Sequence, residues 1–488
     1  MLTKSSLYLN LFLTSILAAG VGCSKENSTG TSQTGSSNSI GRIDGLQERT
    51  IEVVDEKGQP LQAKILIGDK LGSPFPNNFI STAANGKLNI PAEWTSAQPV
   101  TIDVPGYVRV TQLDQEPATF RVVLRKQNPA LNIELTGNTT GFQTKDNDDK
   151  ADFGIVLSTI KKSDILAFSM SALVSPQTDA VSVAVTTINL PSNMVLPQQK
   201  EKYSFVTVNV NKPKYRSYFS EQGPKTVFLA RATAPFKKAA DAGQNKAPVY
   251  EIINLISITG GQIKQVSLTS DKTVMDMNAG EFTFTNKLNY RAPQMPSNQV
   301  VLAVSAAELE NGFLPADVRS ANSGESLSLN AFANTPAQMR FLSVLKNKNE
   351  FDPKVAGADR FSAGLQNANM SAEVQLLPLL ADPEVVNPQV FNFTPPNSGA
   401  LNPLASTVLI SNENEAKRAS TPVWEVRARG WIKTLALPQF PQSAVREELA
   451  ATGKVEMSFL ASSGNVQAQS WDEVIQSTTH VTHSSKQY

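Results

Sequence analysis

Between residues 49 and 124 apolar and polar side chains alternate in short runs. Ile51 alternates with Val53, and Ala63 with Ile65 and Ile67. Leu88 and Ile90 run up to Pro91. The same period of two links Val100, Ile102 and Val104, then Val108 and Val110, then Phe120, Val122 and Leu124. A period of two sends every second side chain to one face, so each run predicts a half-buried strand. Turn residues separate the runs: Glu56-Lys57-Gly58, Asn85-Gly86 and Pro105-Gly106. Glycine takes positive φ at no steric cost, which suits tight turns. About seven short strands over residues 49–126 predict an all-β sandwich.

Strand-like runs continue at 130–135, 155–160, 181–185 and 205–210. Residues 256–266 read as a hairpin turning at Gly260-Gly261, and 282–284 with 288–290 as a strand pair around Asn286-Lys287. The alternation of Trp, Val and Ile with charged residues over 424–432 matches 455–459 as a partner strand. Helical periodicity is scarce, with 305–311 and 445–451 the candidates for short helices. Six prolines between Pro378 and Pro403 predict an extended surface connection. A break is expected at 232–248, or a long loop inside one domain, and the main boundary near 292. The expected fold class is mainly β, in several sandwiches: 49–126, a β-rich domain over 127–292, a C-terminal sandwich-like domain over 293–470, and a frayed tail over 471–488.

The first residues follow a different pattern. Lys4 is the only charged side chain before residue 23, and an apolar run over 7–17 precedes the small residues 18–22. A positive start, a short apolar centre and a small-residue exit describe a secretory signal. Asn10, Thr14 and Ser15 make the run too short and too polar for a membrane span of ~20 residues. The chain's single cysteine, Cys23, follows at once and excludes an intramolecular disulfide. Gly20-Val21-Gly22-Cys23 resembles the lipobox of bacterial lipoproteins, with Gly20 standing where that family carries Leu or a similar apolar residue. The resemblance implies that residues 1–22 are a signal peptide cut before Cys23, whose sulfur and amino group then carry acyl chains. Ordinary secretion, with cleavage after a pair such as Ala18-x-Gly20 and a leftover thiol, and a retained, uncleaved helix are the alternatives. One acyl chain binds a bilayer only marginally, at ~0.8 kcal/mol per buried CH₂, so stable anchoring takes two or more. Ser24, not Asp, follows the cysteine. In lipoprotein sorting this resembles the pattern sent to the outer membrane of a diderm bacterium. Ser, Thr, Gly and Asn dominate residues 24–47, so 23–48 reads as a lipid-anchored flexible linker with a reach of ~25–30 Å.

A second resemblance covers residues 49–126. Val53-Val54-Asp55, Gly58, Pro60-Leu61, Ala63, Ile65 and Ile67 resemble the opening of carboxypeptidase-regulatory-like, transthyretin-like domains. Thr82, Gly86-Lys87-Leu88 and Ile90-Pro91 resemble their middle hairpin, and Val100-Thr101-Ile102, Val104-Pro105-Gly106-Tyr107 their closing strand. The resemblance implies a non-catalytic accessory module in an extracytoplasmic setting, with no catalytic residue to carry over.

Composition narrows the chemistry. At 488 residues and 40% hydrophobic the chain has ample material for packed cores. Lys+Arg 44 against Asp+Glu 43 argues against nucleic acid as a partner. The only histidines are His480 and His483, whose spacing shares a face on a helix but supplies too few ligands for zinc. Asp146, Asp148 and Asp152 offer oxygens for Ca²⁺, yet the loop lacks the Gly and the terminal acid of an EF-hand, so a solvated acidic loop is the plainer reading. Walker A and Gly-x-Gly-x-x-Gly patterns do not occur, and no cofactor is expected. Trp94, Trp424, Trp431 and Trp471 are candidates for a sugar or peptide platform, with burial in a core the commoner role. The expected function is a lipid-anchored binding or structural protein of the cell envelope, not an enzyme. It would sit on the outer membrane through Cys23, face the periplasm or the exterior, and take a protein or glycan as ligand. Two other readings stand beside it: a hydrolase of polysaccharide or peptide working through two carboxylates, and an envelope assembly factor.

Overall fold

The computed structural model describes residues 49–488 apart from 143–150, 163–178, short stretches between 184 and 213, most of 236–246, 352–358, 415–418, 442–448 and a few residues at 270, 311, 334–337, 370–372 and 469. The first strands are β1 (Thr50–Asp55), β2 (Lys64–Ile67), β3 (Phe79–Ser81), β4 (Lys87–Asn89), β5 (Gln98–Asp103), β6 (Arg109–Gln115) and β7 (Phe120–Leu124). Next come β8 (Ile133–Thr140), β9 (Ala151–Ser158), β10 (Asp179–Val183), β11 (Thr186–Leu190), β12 (Met194–Leu196), β13 (Glu201–Thr207), β14 (Lys214–Phe219) and β15 (Gly223–Ala234). Helix α1 (Val249–Ile253) precedes β16 (Ser257–Leu268), β17 (Lys272–Val274), β18 (Met277–Asn278), β19 (Phe282–Thr283) and β20 (Asn286–Arg291). Then follow β21 (Gln299–Leu309), β22 (Gly312–Ala321), β23 (Ser326–Ala331), β24 (Gln338–Asn347), β25 (Phe361–Asn367), β26 (Glu384–Asn387) and β27 (Val390–Asn392). The last elements are β28 (Asn402–Asn414), β29 (Ala419–Arg429), β30 (Thr434–Ala436), β31 (Gly453–Ser462), α2 (Trp471–Ser477) and β32 (His480–Gln487). The protein is mainly β, built of several sheets.

The alternating run at the start folds as its pattern predicts. Ile51, Val53, Ala63, Ile65, Ile67, Val100, Ile102, Val104, Val110, Val122 and Leu124 share one core around the buried Trp94. Gly86 takes φ 74° at the predicted Asn-Gly turn, where a Cβ would come 2.5 Å from the Val53 carbonyl oxygen. Strands β4-β1-β7 form one small sheet. The other layer is not a separate sheet. It is one end of a twelve-stranded sheet ordered β22-β21-β24-β25-β32-β31-β28-β29-β6-β5-β2-β3. A parallel pairing of β6 with β29, from Arg109 opposite Trp424 to Gln112 opposite Arg427, makes the join.

The expected boundary at 292 does not divide the core. Phe153, Ile155, Phe228 and Ala230 from one side of it pack with Val304, Leu314, Val344 and Leu460 from the other. The pairing of β20 with β23 along six residues also crosses it.

Several local expectations are corrected. Residues 257–268 form one continuous strand, paired with β15 through a register shift between Arg231 and Ala232. Gly260 and Gly261 serve close approach there, not a turn. A Cβ would fall 2.0 Å from the Phe282 carbonyl oxygen at Gly260 and 1.9 Å from that of Leu229 at Gly261. Strands β19 and β20 pair with β16 and β23, not with each other. Residues 305–309 continue β21 instead of forming a helix. Val300 to Ala307 are all buried, and a strand covered on both faces loses its alternation. The helix expected at 445–451 falls mostly outside the described residues. Residues 424–429 and 455–459 lie in one sheet but with β28 between them. The proline-rich connection carries β26 and β27, which form a small sheet with β30, and it lays Leu380, Phe391 and Phe393 on Val408, Ile410, Trp424 and Phe459.

The tail is the largest correction. Ser470 caps α2 by accepting a hydrogen bond from the Glu473 amide, and β32 then enters the middle of the large sheet. His480 to Ser484 are all buried there, between β25 and β31.

Candidate functional site

The join between β6 and β29 gathers the most concentrated chemistry. Register pairing sets Arg109 beside Trp424, and the guanidinium lies 4.6 Å from the Trp424 ring centre and 4.3 Å from that of Phe440. Its Nε donates to Asp103 Oδ1 at 3.1 Å, with both residues almost wholly buried. Trp424 Nε1 donates to Thr111 Oγ1 at 2.9 Å, and that hydroxyl shares a hydrogen bond with Thr101. A desolvated cation held against aromatic faces contributes ~2 kcal/mol or more. Over this floor opens a cleft of about 550 Å³, walled by Pro388, Gln389, Leu437 and Phe440. That volume lies within the range of small-ligand sites.

The other face of β29 is charged. Glu425 sits 3.5 Å from Arg125 and 2.6 Å from Arg427, whose guanidinium lies 5.3 Å from the Trp471 ring centre. Burial pushes the Glu425 carboxyl up, but Arg427 and Arg125 outweigh it and hold the group below its ordinary value.

Among the described residues the buried acids are committed to cations. Asp103 takes Arg109, Asp152 takes Arg231 at 2.9 Å, and Asp317 takes Arg319 at 3.5 Å. Glu350 takes Arg360 at 2.8 Å, and Asp359 takes Lys454 at 2.6 Å. Lys346 is fully buried, donates to the Arg360 carbonyl oxygen at 2.9 Å, and is brought down to about 8 by burial.

The residues singled out in the sequence scatter. Cys23, with residues 1–48 as a whole, lies outside the described residues, as do Asp146 and Asp148. Asp152 is not a loop ligand but a strand residue engaged by Arg231. Trp94 and Trp424 are buried, so neither is a surface platform. Trp431 is half-buried and donates Nε1 to the Leu460 carbonyl oxygen. Trp471 is half-buried against Arg427. His480 and His483 stand on a strand, where an odd spacing sends them to opposite faces, so they cannot share a ligand. No group of three or more His, Cys, Asp or Glu is placed to hold a metal among the described residues. Arg109, Phe440 and Glu425 were not foreseen. Arg109 lies between Val108 and Val110, and nothing local shows that its own face is buried by a strand more than 300 residues away.

The class that the fold defines is a mainly-β protein of fused sheets. No protein-family model and no curated protein matches the chain. Among solved structures it is similar to a crystal structure from Bacteroides ovatus of a protein provisionally described as an adhesin. The match has 10% identity, 51% of this chain covered, 96% of the other, and a TM-score of 0.13. A similarity at that score assigns no function. No described helix is long and apolar enough to cross a membrane.

Proposed function

We propose that the chain is a lipid-anchored binding or structural protein of the bacterial cell envelope. Its foot is an acylated Cys23 in the outer membrane, and its folded body faces the periplasm or the exterior. One observation carries this reading: the single cysteine of 488 residues stands directly behind a secretory-type signal. The interior supports a scaffold role. Carboxylates such as Asp103, Asp152 and Glu350 are each engaged by an arginine inside the fold, which suits a structural role. The cleft over Arg109 and Trp424, with its aromatic and proline walls, is the candidate contact for a protein or glycan ligand.

Metabolic labelling with a fatty acid in a bacterial host tests the anchor. The wild-type chain takes up label and sediments with membranes, whereas Cys23→Ala does neither. An unlabelled wild type whose Cys23→Ala variant stays equally membrane-attached overturns the reading. Incubating the full chain with peptidoglycan and glycan substrates tests the body. Binding without turnover is expected, and turnover abolished by one Asp or Glu substitution would move the protein to the hydrolases.

A further inference from the structure

Strand β32 holds the two halves of the twelve-stranded sheet together. On one side it pairs with β31 over eight residues; on the other it meets β25 through four rungs, extended by the Leu365 amide donating to the Thr479 carbonyl oxygen at 2.8 Å. Those rungs run from Phe361 opposite His483 to Gly364 opposite His480. The chain's only two histidines therefore occupy both ends of the ladder, one on each face of the sheet.

Each imidazole is enclosed. His480 is 5% exposed and faces Gly364, Thr479 and Gln375, none of them charged. A Cβ at Gly364 would come 3.0 Å from the His480 ring, so the rung is shaped to admit it. His483 is also 5% exposed. Its ring stacks on Phe361 at 5.1 Å, its Nδ1 shares a hydrogen bond with Ser458 Oγ at 2.9 Å, and its Nε2 has no partner. The charged groups around it come in opposed pairs: Lys346 from β24 and Lys454 from β31 against Glu456 from β31 and Asp359 from the turn before β25. Lys454 already engages both carboxylates, at 2.6 and 2.8 Å, and Asp359 also accepts from Ser485. Neither acid is hydrogen-bonded to the His483 Nε2.

We propose that the β25–β32 ladder is an acid-released joint: on acidification the two imidazoles take up protons by leaving the sheet, and β32 parts from β25 while the remaining sheets stay closed. Burial is the main cause that keeps both histidines neutral in the closed form, His480 down to about 4. An exposed imidazole titrates near 6.5, so the open form binds protons that the closed form refuses. Opening is therefore favoured as pH falls below ~6.5, by about tenfold per pH unit for each imidazole released.

Hydrogen exchange of the full chain at pH 7.5 and pH 5, corrected for intrinsic rates, tests the joint. Peptides covering 361–367 and 480–483 should lose protection by ~30-fold or more at pH 5, while those of β15 and β16 keep theirs. Protection unchanged in the two peptides, or lost everywhere together, overturns the proposal. The His480→Gln, His483→Gln double variant should be flat between the two pH values, and a persisting pH dependence in it also overturns the proposal. A measurement on the wild-type chain covers the case in which that variant fails to fold. Two imidazole proton resonances are expected from two histidines; midpoints well below 6.5 support the joint, and midpoints at or above 6.5 sink it.

Discussion

Arg109 is the residue whose removal the fold should tolerate least. Truncation to Ala strips Asp103 of its cation in a site with almost no solvent, and it empties the gap between Trp424 and Phe440. Breaking a buried pair from one side costs ~3–5 kcal/mol. Denaturant unfolding of Arg109→Ala should show that loss, and Arg109→Lys should recover only part of it, since an ammonium cannot stack as a planar guanidinium does. Lys346 predicts the opposite sign. Burial lowers its amine from 10.5 to about 8, so the folded chain releases a proton that the unfolded chain keeps between those values. Stability gains as pH rises through that window, and the full penalty, ~3 kcal/mol, applies below pH 8. Lys346→Met should therefore be more stable than wild type at pH 7, by ~1–3 kcal/mol after the lost hydrogen bond to Arg360, with the advantage shrinking toward pH 10. Thermal melts at both pH values check it. Residue identity alone foretold little of this. A lysine in a mixed run such as Leu345-Lys346-Asn347 looks solvated until the chain on both sides of it is placed.

At the scale of the element, legibility followed burial. Strands with one wet face, such as β1 and β7, kept a clean period of two, β5 kept it because its second buried face carries the polar Thr101 and Asp103, and the turn at Asn85-Gly86 carried its own chemistry. Strand β21 is covered on both faces, so its small apolar residues blurred toward a helical reading. Strand β32 failed in the reverse direction. Its Thr, His and Ser residues signal solvent, yet they are buried because β25 and β31 clasp the strand. Gly260-Gly261 was misread for a third reason. Glycine marks either a turn or a place where backbones come close, and only the neighbour decides which. A substitution separates the two roles. Gly261→Ala forces a Cβ toward the Leu229 carbonyl oxygen at a residue with φ 150°. A turn glycine costs about 1 kcal/mol to replace, whereas this crowding should cost ~3 kcal/mol or more and loosen β19. Calorimetry of the variant distinguishes the cases.

At the scale of the molecule the sheets are continuous, and this changes what a domain means here. The sandwich over 49–126 keeps its own core, but its β6 edge is closed by β29 and its Arg109 by Trp424 and Phe440. Excised alone, residues 49–126 should unfold at a markedly lower temperature than the same residues in the full chain, read by circular dichroism of the fragment against exchange in the whole. An equal melting temperature would mark the join as a mere contact. Local pattern in the chain carried the all-β class and the first sandwich with its turns. Both rest on side chains close together along the chain, through a period of two. Tertiary structure alone decided that β6 continues into β29, that the acids at Asp103, Asp152 and Asp359 find cations, and that two polar histidines sit in the middle of a sheet. Such pairings join residues 6 to more than 300 positions apart, and the environment that sets their charge and burial is supplied by strands absent from the local pattern.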